Sequence, residues 1–238
     1  MPNVISFSHV TKSYQQQVIL NDINISVAPG EFVGLVGVNG AGKTTLIKSM
    51  LDFTDIDSGK IHIHNIDHCK TEARSSLAYL PERFNPPGHL KGNDFIKYML
   101  ELHQKPFNRG HITNLLAKLD FDSQNLSKYI HHYSKGMVQK LGLASAFLSE
   151  KSLLILDEPM SGLDPKARKH LKAYFSYLKQ QQTSVFISTH LLADAASICD
   201  RLIVLNNAHI VYQGSPATFL ESYHSDDFDT AFVNCISA

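Results

Sequence analysis

The sequence predicts an α/β protein built on a parallel sheet, with an antiparallel β subdomain beside that sheet and a helical subdomain inserted into it. Three observations carry the prediction. Four short, almost wholly apolar runs, Phe32–Val36, Leu153–Leu156, Val185–Ser188 and Leu202–Leu205, have the continuous hydrophobicity of strands covered on both faces. Val4–Phe7, Ile19–Val27 and Ile61–His64 instead alternate apolar and polar residues, the period of a sheet with one wet face. Between Arg83 and Ser149 the period changes again, to apolar residues three and four apart.

Taken in order, the first buried run leads into a glycine-rich segment, 37–45, and then into Leu46–Leu51, which reads as a helix. That block is strand, loop, helix. Ser58-Gly59 supplies a turn before the alternating stretch at Ile61. Asn85-Pro86-Pro87-Gly88 breaks the chain, and helical patterns follow over Asp94–His103, Ile112–Leu119 and Met137–Leu148. The expectation is one domain over 1–238, with 1–84 and 150–238 forming the catalytic core and its antiparallel β subdomain, and 85–149 forming the helical insertion. Residues 206–238 read as a tail, and no internal repeat is visible.

Composition narrows the function. Apolar residues make up 43% and charged residues 18%, a globular balance that argues against extensive disorder. Twenty-two basic residues offset 22 acidic ones, so there is no electrostatic footprint for nucleic acid or anionic lipid. Cys69, Cys199 and Cys235 lie far apart with no metal-ligand spacing, which fits a reducing, cytoplasmic setting. No signal peptide is visible and no apolar run reaches the ~18 residues that cross a bilayer, so direct membrane insertion is not expected, while docking onto a membrane protein stays open.

Gly37-Val38-Asn39-Gly40-Ala41-Gly42-Lys43-Thr44 matches the Walker A pattern in full, between a predicted strand and a predicted helix. Glycine permits positive φ and close backbone approach, so successive N–H groups can turn toward phosphate oxygens, and the helix that follows adds its N-terminal dipole. Lys43 is expected on the β- and γ-phosphates, the Thr44 hydroxyl on Mg²⁺, and Thr45 on a further phosphate oxygen. The core is therefore expected to be a phosphate-loop NTPase core that binds ATP and Mg²⁺.

The run Leu153–Leu156 ends in Asp157-Glu158-Pro159. Adjacent strand residues point to opposite faces, so two consecutive carboxylates can serve two tasks. Asp157 is expected to hold Mg²⁺, directly or through water, and Glu158 to act as general base toward the attacking water.

With these motifs in place, the chain resembles the ATP-binding subunits of ABC (ATP-binding cassette) transporters from about Ile5 to Gly214. Tyr14 is similar to the aromatic that stacks on adenine. Leu80-Pro81-Glu82 sits where the family has its Q-loop, Tyr133-Ser134-Lys135-Gly136-Met137 where it has its signature, Ser161-Gly162-Leu163-Asp164 resembles the D-loop, and His190 the switch histidine. The resemblance implies a head-to-tail dimer in which Ser134 and Gly136 of one copy, with Asp164, complete the nucleotide pocket of the other. It implies catalytic roles for Lys43, Glu82, Glu158 and His190. A hydroxyl and bare N–H groups at a helix start suit that second anion site.

Two motifs depart from the family pattern. Lys135 and Met137 stand in a signature usually written Leu-Ser-Gly-Gly-Gln, and Glu82 stands for glutamine. A carboxylate at 82 can approach Mg²⁺ as an acceptor but has no amide N–H to donate. Both variants resemble ABC-2-type exporters, as does Asp229-Thr230-Ala231-Phe232 near the end. The resemblance therefore implies an ATPase subunit, working as a homodimer, that powers a separate multi-span membrane permease in export. It would sit in the cytoplasm against the inner face of the membrane. The alternative is a soluble ABC ATPase in DNA repair, translation or cofactor assembly. His62, His64 and His68 lack a completing cysteine or carboxylate constellation and read as a solvated hairpin face, and His131-His132 as loop surface.

Overall fold

The computed structural model describes residues 2–237. The chain begins with two long antiparallel strands, β1 (Ile5–Tyr14) and β2 (Gln17–Val27), whose inward residues Ile5, Phe7, Val10, Ile23 and Ile25 are buried while their neighbours face water. β3 (Phe32–Val36), buried at every position, opens the second sheet, and the glycine loop carries it into α1 (Lys43–Met50). β4 (Ser58–Ile63) and β5 (Ile66–Asp67) return to the first sheet, which has the order β2-β1-β4-β5 and is antiparallel throughout. The alternating stretch expected over 61–64 stops one residue early. His64 and Asn65 both take positive φ, 49° and 62°, and make the tight turn between β4 and β5.

β6 (Leu77–Leu80) is the next strand of the second sheet, and three helices follow it, α2 (Gly92–Leu102), α3 (Arg109–Lys118) and α4 (Lys135–Leu148). β7 (Leu153–Asp157), α5 (Pro165–Gln180), β8 (Ser184–Thr189), α6 (Leu192–Ile198), β9 (Arg201–Asn206) and β10 (His209–Gly214) come next. α7 (Pro216–Ser222) and α8 (Phe228–Ser237) close the described chain. The second sheet runs β10-β9-β3-β8-β7-β6, parallel except for the edge strand β10. An α/β phosphate-loop NTPase fold results, as the sequence predicts, and the four apolar runs are β3, β7, β8 and β9.

Strand alternation explains why those four runs are apolar at every position. Val33, Leu35, Ile155, Phe186 and Ile203 point into a core shared with α1 and the antiparallel sheet. Phe32, Leu154, Leu156, Ile187 and Leu202 point into a second core with α4, α5, α6 and the C-terminal helices. Both faces are thus dry, and the loops at the strand ends are left to carry polar chemistry.

The expectation of a tail over 206–238 is wrong. β10 pairs with β9 through a turn at Asn207 and Ala208, and Ser215 caps α7 by accepting from Thr218 N at 3.1 Å with Pro216 in the first turn. Phe219, Ala231 and Cys235 enter the second core. β10 alternates exposed and half-buried residues as an edge strand, so it offers no apolar run to read. Among the described residues, no helix is long and apolar enough to cross a membrane.

Candidate functional site

The ends of β3, β7 and β8 converge on a cleft of about 450 Å³. Its floor is the glycine loop. Gly37 leaves β3 so close to the neighbouring strand that a Cβ would lie 2.5 Å from Leu205 O. Gly42, the residue before α1, holds φ at 107°, a conformation reserved for glycine, against Ile19 O. Asn39, Gly40, Gly42, Lys43, Thr44 and Thr45 line the cleft, while Val38 and Ala41 line the outer side of the same loop toward Gln17 and Asn207. α1 has no acidic residue in its first turn, which leaves its N-terminal field unopposed.

Lys43 is 8% exposed and folds back over the loop, donating to Gly37 O at 2.7 Å and Val38 O at 3.2 Å. Burial lowers its pKa, against the opposing pull of Glu158, Asp157 and Glu82. Its ammonium is held where three carboxylates face it, in a cavity from which water is partly excluded.

Asp157 ends β7 and is 2% exposed. Ser188 Oγ, across the ladder in β8, donates to its Oδ1, and Thr44 Oγ1 stands 3.5 Å from its Oδ2. Burial raises the Asp157 pKa; Glu82 and Glu158 add to the rise, while the Ser188 bond and Lys43 oppose it. Strand alternation alone would send Glu158 to the far face. Instead Glu158 takes φ 50°, its N–H bonds Ser188 O at 3.0 Å, and the turn brings its carboxylate into the same cleft as Asp157. Glu158 Oε1 meets His190 Nδ1 at 2.8 Å, and Oε2 accepts from Thr189 Oγ1 at 3.3 Å. Glu82, just past β6, closes the cleft from the opposite wall. A hydroxyl and carboxylates are hard oxygen donors, the set that suits Mg²⁺.

Beyond the glycine loop itself, four sequence candidates stand outside this lining. Tyr14, at the end of β1, is 46% exposed, with its hydroxyl 3.2 Å from Thr54 Oγ1 and the Lys12 ammonium over its ring; Ile19 is the apolar wall nearer the loop. Ser134 caps α4, its Oγ accepting from Met137 N at 3.2 Å, and Asp164 caps α5 from Ala167 N at 2.8 Å. Gly136 packs on the D-loop: a Cβ there would lie 3.0 Å from Gly162 O. Ser134 and Lys135 are exposed. Buried Gln139 of α4 donates to Pro159 O at 3.0 Å and so ties the signature helix to the turn that carries Glu158.

Beyond the place of Ser161 in the D-loop pattern, sequence reasoning gives no role to Ser161, Gln139, Ser188 or Thr189, all of which the structure draws to this region. The signal for the last two was present: consecutive hydroxyls at the end of a buried strand next to one that ends in carboxylates. Away from the cleft, Asp52, His68 and Cys69 bring donor atoms within 4.8 Å of one another. Arg74 already pairs with Asp52 at 3.3 Å, and Cys69 Sγ lies 3.6 and 3.8 Å from the two ring nitrogens of His68, beside the ring rather than on either lone pair.

The chain matches the family described as ABC transporter over residues 20–161. It is 32% identical over 229 residues to an uncharacterized ABC transporter ATP-binding protein of Synechocystis, covering 92% of this chain and 64% of that protein, so it spans just under two thirds of that relative's length. It is 31% identical over 225 residues to Nod factor export ATP-binding protein I of Burkholderia thailandensis, covering 92% of this chain and 73% of that one. A solved ATP-binding subunit of an ABC transporter superposes with a TM-score of 0.87 at 28% identity, over 98% of this chain and 99% of the other.

Proposed function

Since the chain belongs to the ABC transporter family, as an ATP-binding subunit, we propose that it hydrolyses ATP at the cleft between β3, β7 and β8 and powers a separate multi-span membrane permease. The observation that carries this reading is the placement of Glu158. Its carboxylate is held by His190 at 2.8 Å and by Thr189 at the mouth of a complete phosphate loop. A carboxylate so held can take the proton of an attacking water, the step that ATP hydrolysis needs.

Binding begins with the loop. Its N–H groups and the unopposed field of α1 receive the phosphate oxygens, and Lys43 exchanges the Gly37 and Val38 carbonyls for them. Thr44 and Asp157, with Glu82 across the cleft, are the residues that would hold Mg²⁺. That ion, when bound, supplies charge neutralisation at the phosphates. Glu158 takes a proton from water as the water oxygen bonds the γ-phosphorus. The bond to the bridging oxygen breaks, and the electron pair leaves on the β-phosphate of ADP. An ionised Glu158 has only lone pairs to offer, so His190 Nδ1 is the donor in their hydrogen bond. His190 thereby fixes the direction in which the base points.

Ser134 and Gly136, outside the cleft lining and exposed or half-exposed, suit a second copy's nucleotide better than the chain's own. We assign them, with Asp164, to the trans side of a head-to-tail homodimer, and Tyr14 to the adenine. The 85–149 region, which holds α2, α3 and α4, is assigned to transmit closure to the permease at the inner membrane face. Export fits the Glu82 and Lys135 variants and the Nod factor export relative. The relatives described above carry transporter names, which favours this reading over a soluble repair or translation ATPase.

The test is release of free phosphate from Mg-ATP by the purified chain with no other acceptor present, together with expression beside its genomic neighbours. Phosphate release and co-purification of a multi-span membrane protein are expected. No phosphate release without an added small-molecule acceptor would remove the hydrolase reading.

A further inference from the structure

The last three residues around the end of β8 divide two carboxylates among them. Ser188 bonds Asp157, Thr189 bonds Oε2 of Glu158, and His190 bonds Oε1 of Glu158. Ser188 is fully buried and stands directly opposite Asp157 in the β7–β8 ladder. Its hydroxyl is committed on both sides: the O–H goes to Asp157 Oδ1, and the oxygen accepts from Glu158 N at 3.3 Å. Glu158 N gives the same hydrogen mainly to Ser188 O, at 3.0 Å, so it is the O–H to Oδ1 that ties this oxygen of Asp157 down. The other oxygen, Oδ2, is thereby left on the side of Thr44 Oγ1, 3.5 Å away.

We propose that Ser188 is a positioning residue that orients the Asp157 carboxylate toward the Mg²⁺ of bound Mg-ATP and so sets the Mg²⁺ requirement of nucleotide binding. This rests on the assignment of Asp157 as the carboxylate on the metal side. A partner behind a metal-ligating carboxylate fixes its direction and its basicity, and its loss typically costs metal affinity 10–100-fold. Thr189 offers an internal control. It presents the same kind of hydroxyl one residue further on, in the same buried environment, but to Glu158. A general loosening of the strand end would follow from loss of either hydroxyl, whereas a metal-specific effect follows from Ser188 alone.

The experiment titrates Mg²⁺ against binding of a fluorescent, non-hydrolysable ATP analogue to the whole chain, and repeats the binding in excess EDTA. Ser188→Ala is expected to raise the half-saturating Mg²⁺ concentration roughly 10-fold or more and to leave binding in EDTA within about 2-fold. Ser188→Thr, which keeps the hydroxyl, should restore the parent value, and Thr189→Val should not move it. If Ser188→Ala does not fold, Ser188→Cys, close in size and a poor donor, should give the same rise. An unchanged Mg²⁺ half-point in the Ser188 variants, while Asp157→Asn raises it, would overturn the inference alone. An equal shift in Thr189→Val, or a matching loss in EDTA, would overturn it as a local packing effect. An unchanged half-point in Asp157→Asn would overturn the assignment of Asp157 and the inference with it.

Discussion

His190 Nδ1 and Glu158 Oε1 lie 2.8 Å apart although neither residue is in a regular element: Glu158 is one residue past β7 and His190 one residue past β8. The parallel register that sets Asp157 opposite Ser188 brings the two loops level, and the positive φ of Glu158 completes the approach. A base held this way is aimed before the substrate arrives.

Removing the base should therefore separate binding from turnover. Glu158→Gln keeps an acceptor for His190 and a near-identical shape but has no carboxylate for the proton. Phosphate release is expected to fall at least ~100-fold while ATP affinity changes by a few fold at most, as read by a phosphate assay beside calorimetric titration. His190→Ala should lower turnover more than affinity, because it leaves Glu158 ionised but unaimed.

Lys43 is the reverse case. Its ammonium is buried among carbonyls and carboxylates and is the one side-chain cation on the loop's phosphate side among the described lining residues. Lys43→Ala should weaken ATP binding on the order of 10- to 100-fold, the worth of one or two charge-assisted hydrogen bonds. A titration that returned the parent affinity would contradict its placement on the phosphates.

Asp157 carries a stability cost in the nucleotide-free protein. Its folded-state pKa lies above the ordinary 3.8, chiefly through burial, so the folded chain holds the proton more tightly than the unfolded one. Stability then falls as pH rises from 3.8 through the raised value, and above that window the full cost is present. Asp157→Asn removes it. The nucleotide-free variant should melt at a higher Tm than the parent at neutral pH, with a flatter acid limb, and should lose hydrolysis.

The C-terminal segment is predicted to matter as core. Phe219 is fully buried, with its ring 4.8 Å from that of Tyr212 and 5.0 Å from that of Tyr223. Phe219→Ala should destabilise the chain by about 3–5 kcal/mol in denaturant unfolding, leaving the cleft chemistry intact in the fraction that folds. A shift within 0.5 kcal/mol, the usual range for a surface site, would mean that α7 does not dock.

The central sheet was legible because β3, β7, β8 and β9 are dry on both faces and therefore apolar at every position. The loop residues from Gly37 to Thr45 were legible because phosphate binding demands residue types that little else demands. β10 was not, since this edge strand is half wet and its apolar content is diluted, and β6, though apolar, is only four residues long. Strand alternation gave Glu158 and Asp157 separate tasks but the wrong geometry, because the left-handed turn at a glutamate leaves no mark in composition. Ser188 and Thr189 carried a signal in their place at a strand end, but which carboxylate each one meets is set by the β7–β8 register and not by composition.

The cap on α4 has a chemical corollary. Ser134 Oγ spends a lone pair on Met137 N–H and keeps its hydrogen. Aspartate would end that helix equally well, yet would present only negative oxygens to an approaching polyphosphate. Serine and threonine alone among the good caps bring an O–H, so under the trans role proposed for Ser134 the helix cap and the nucleotide contact draw on opposite ends of one small dipole.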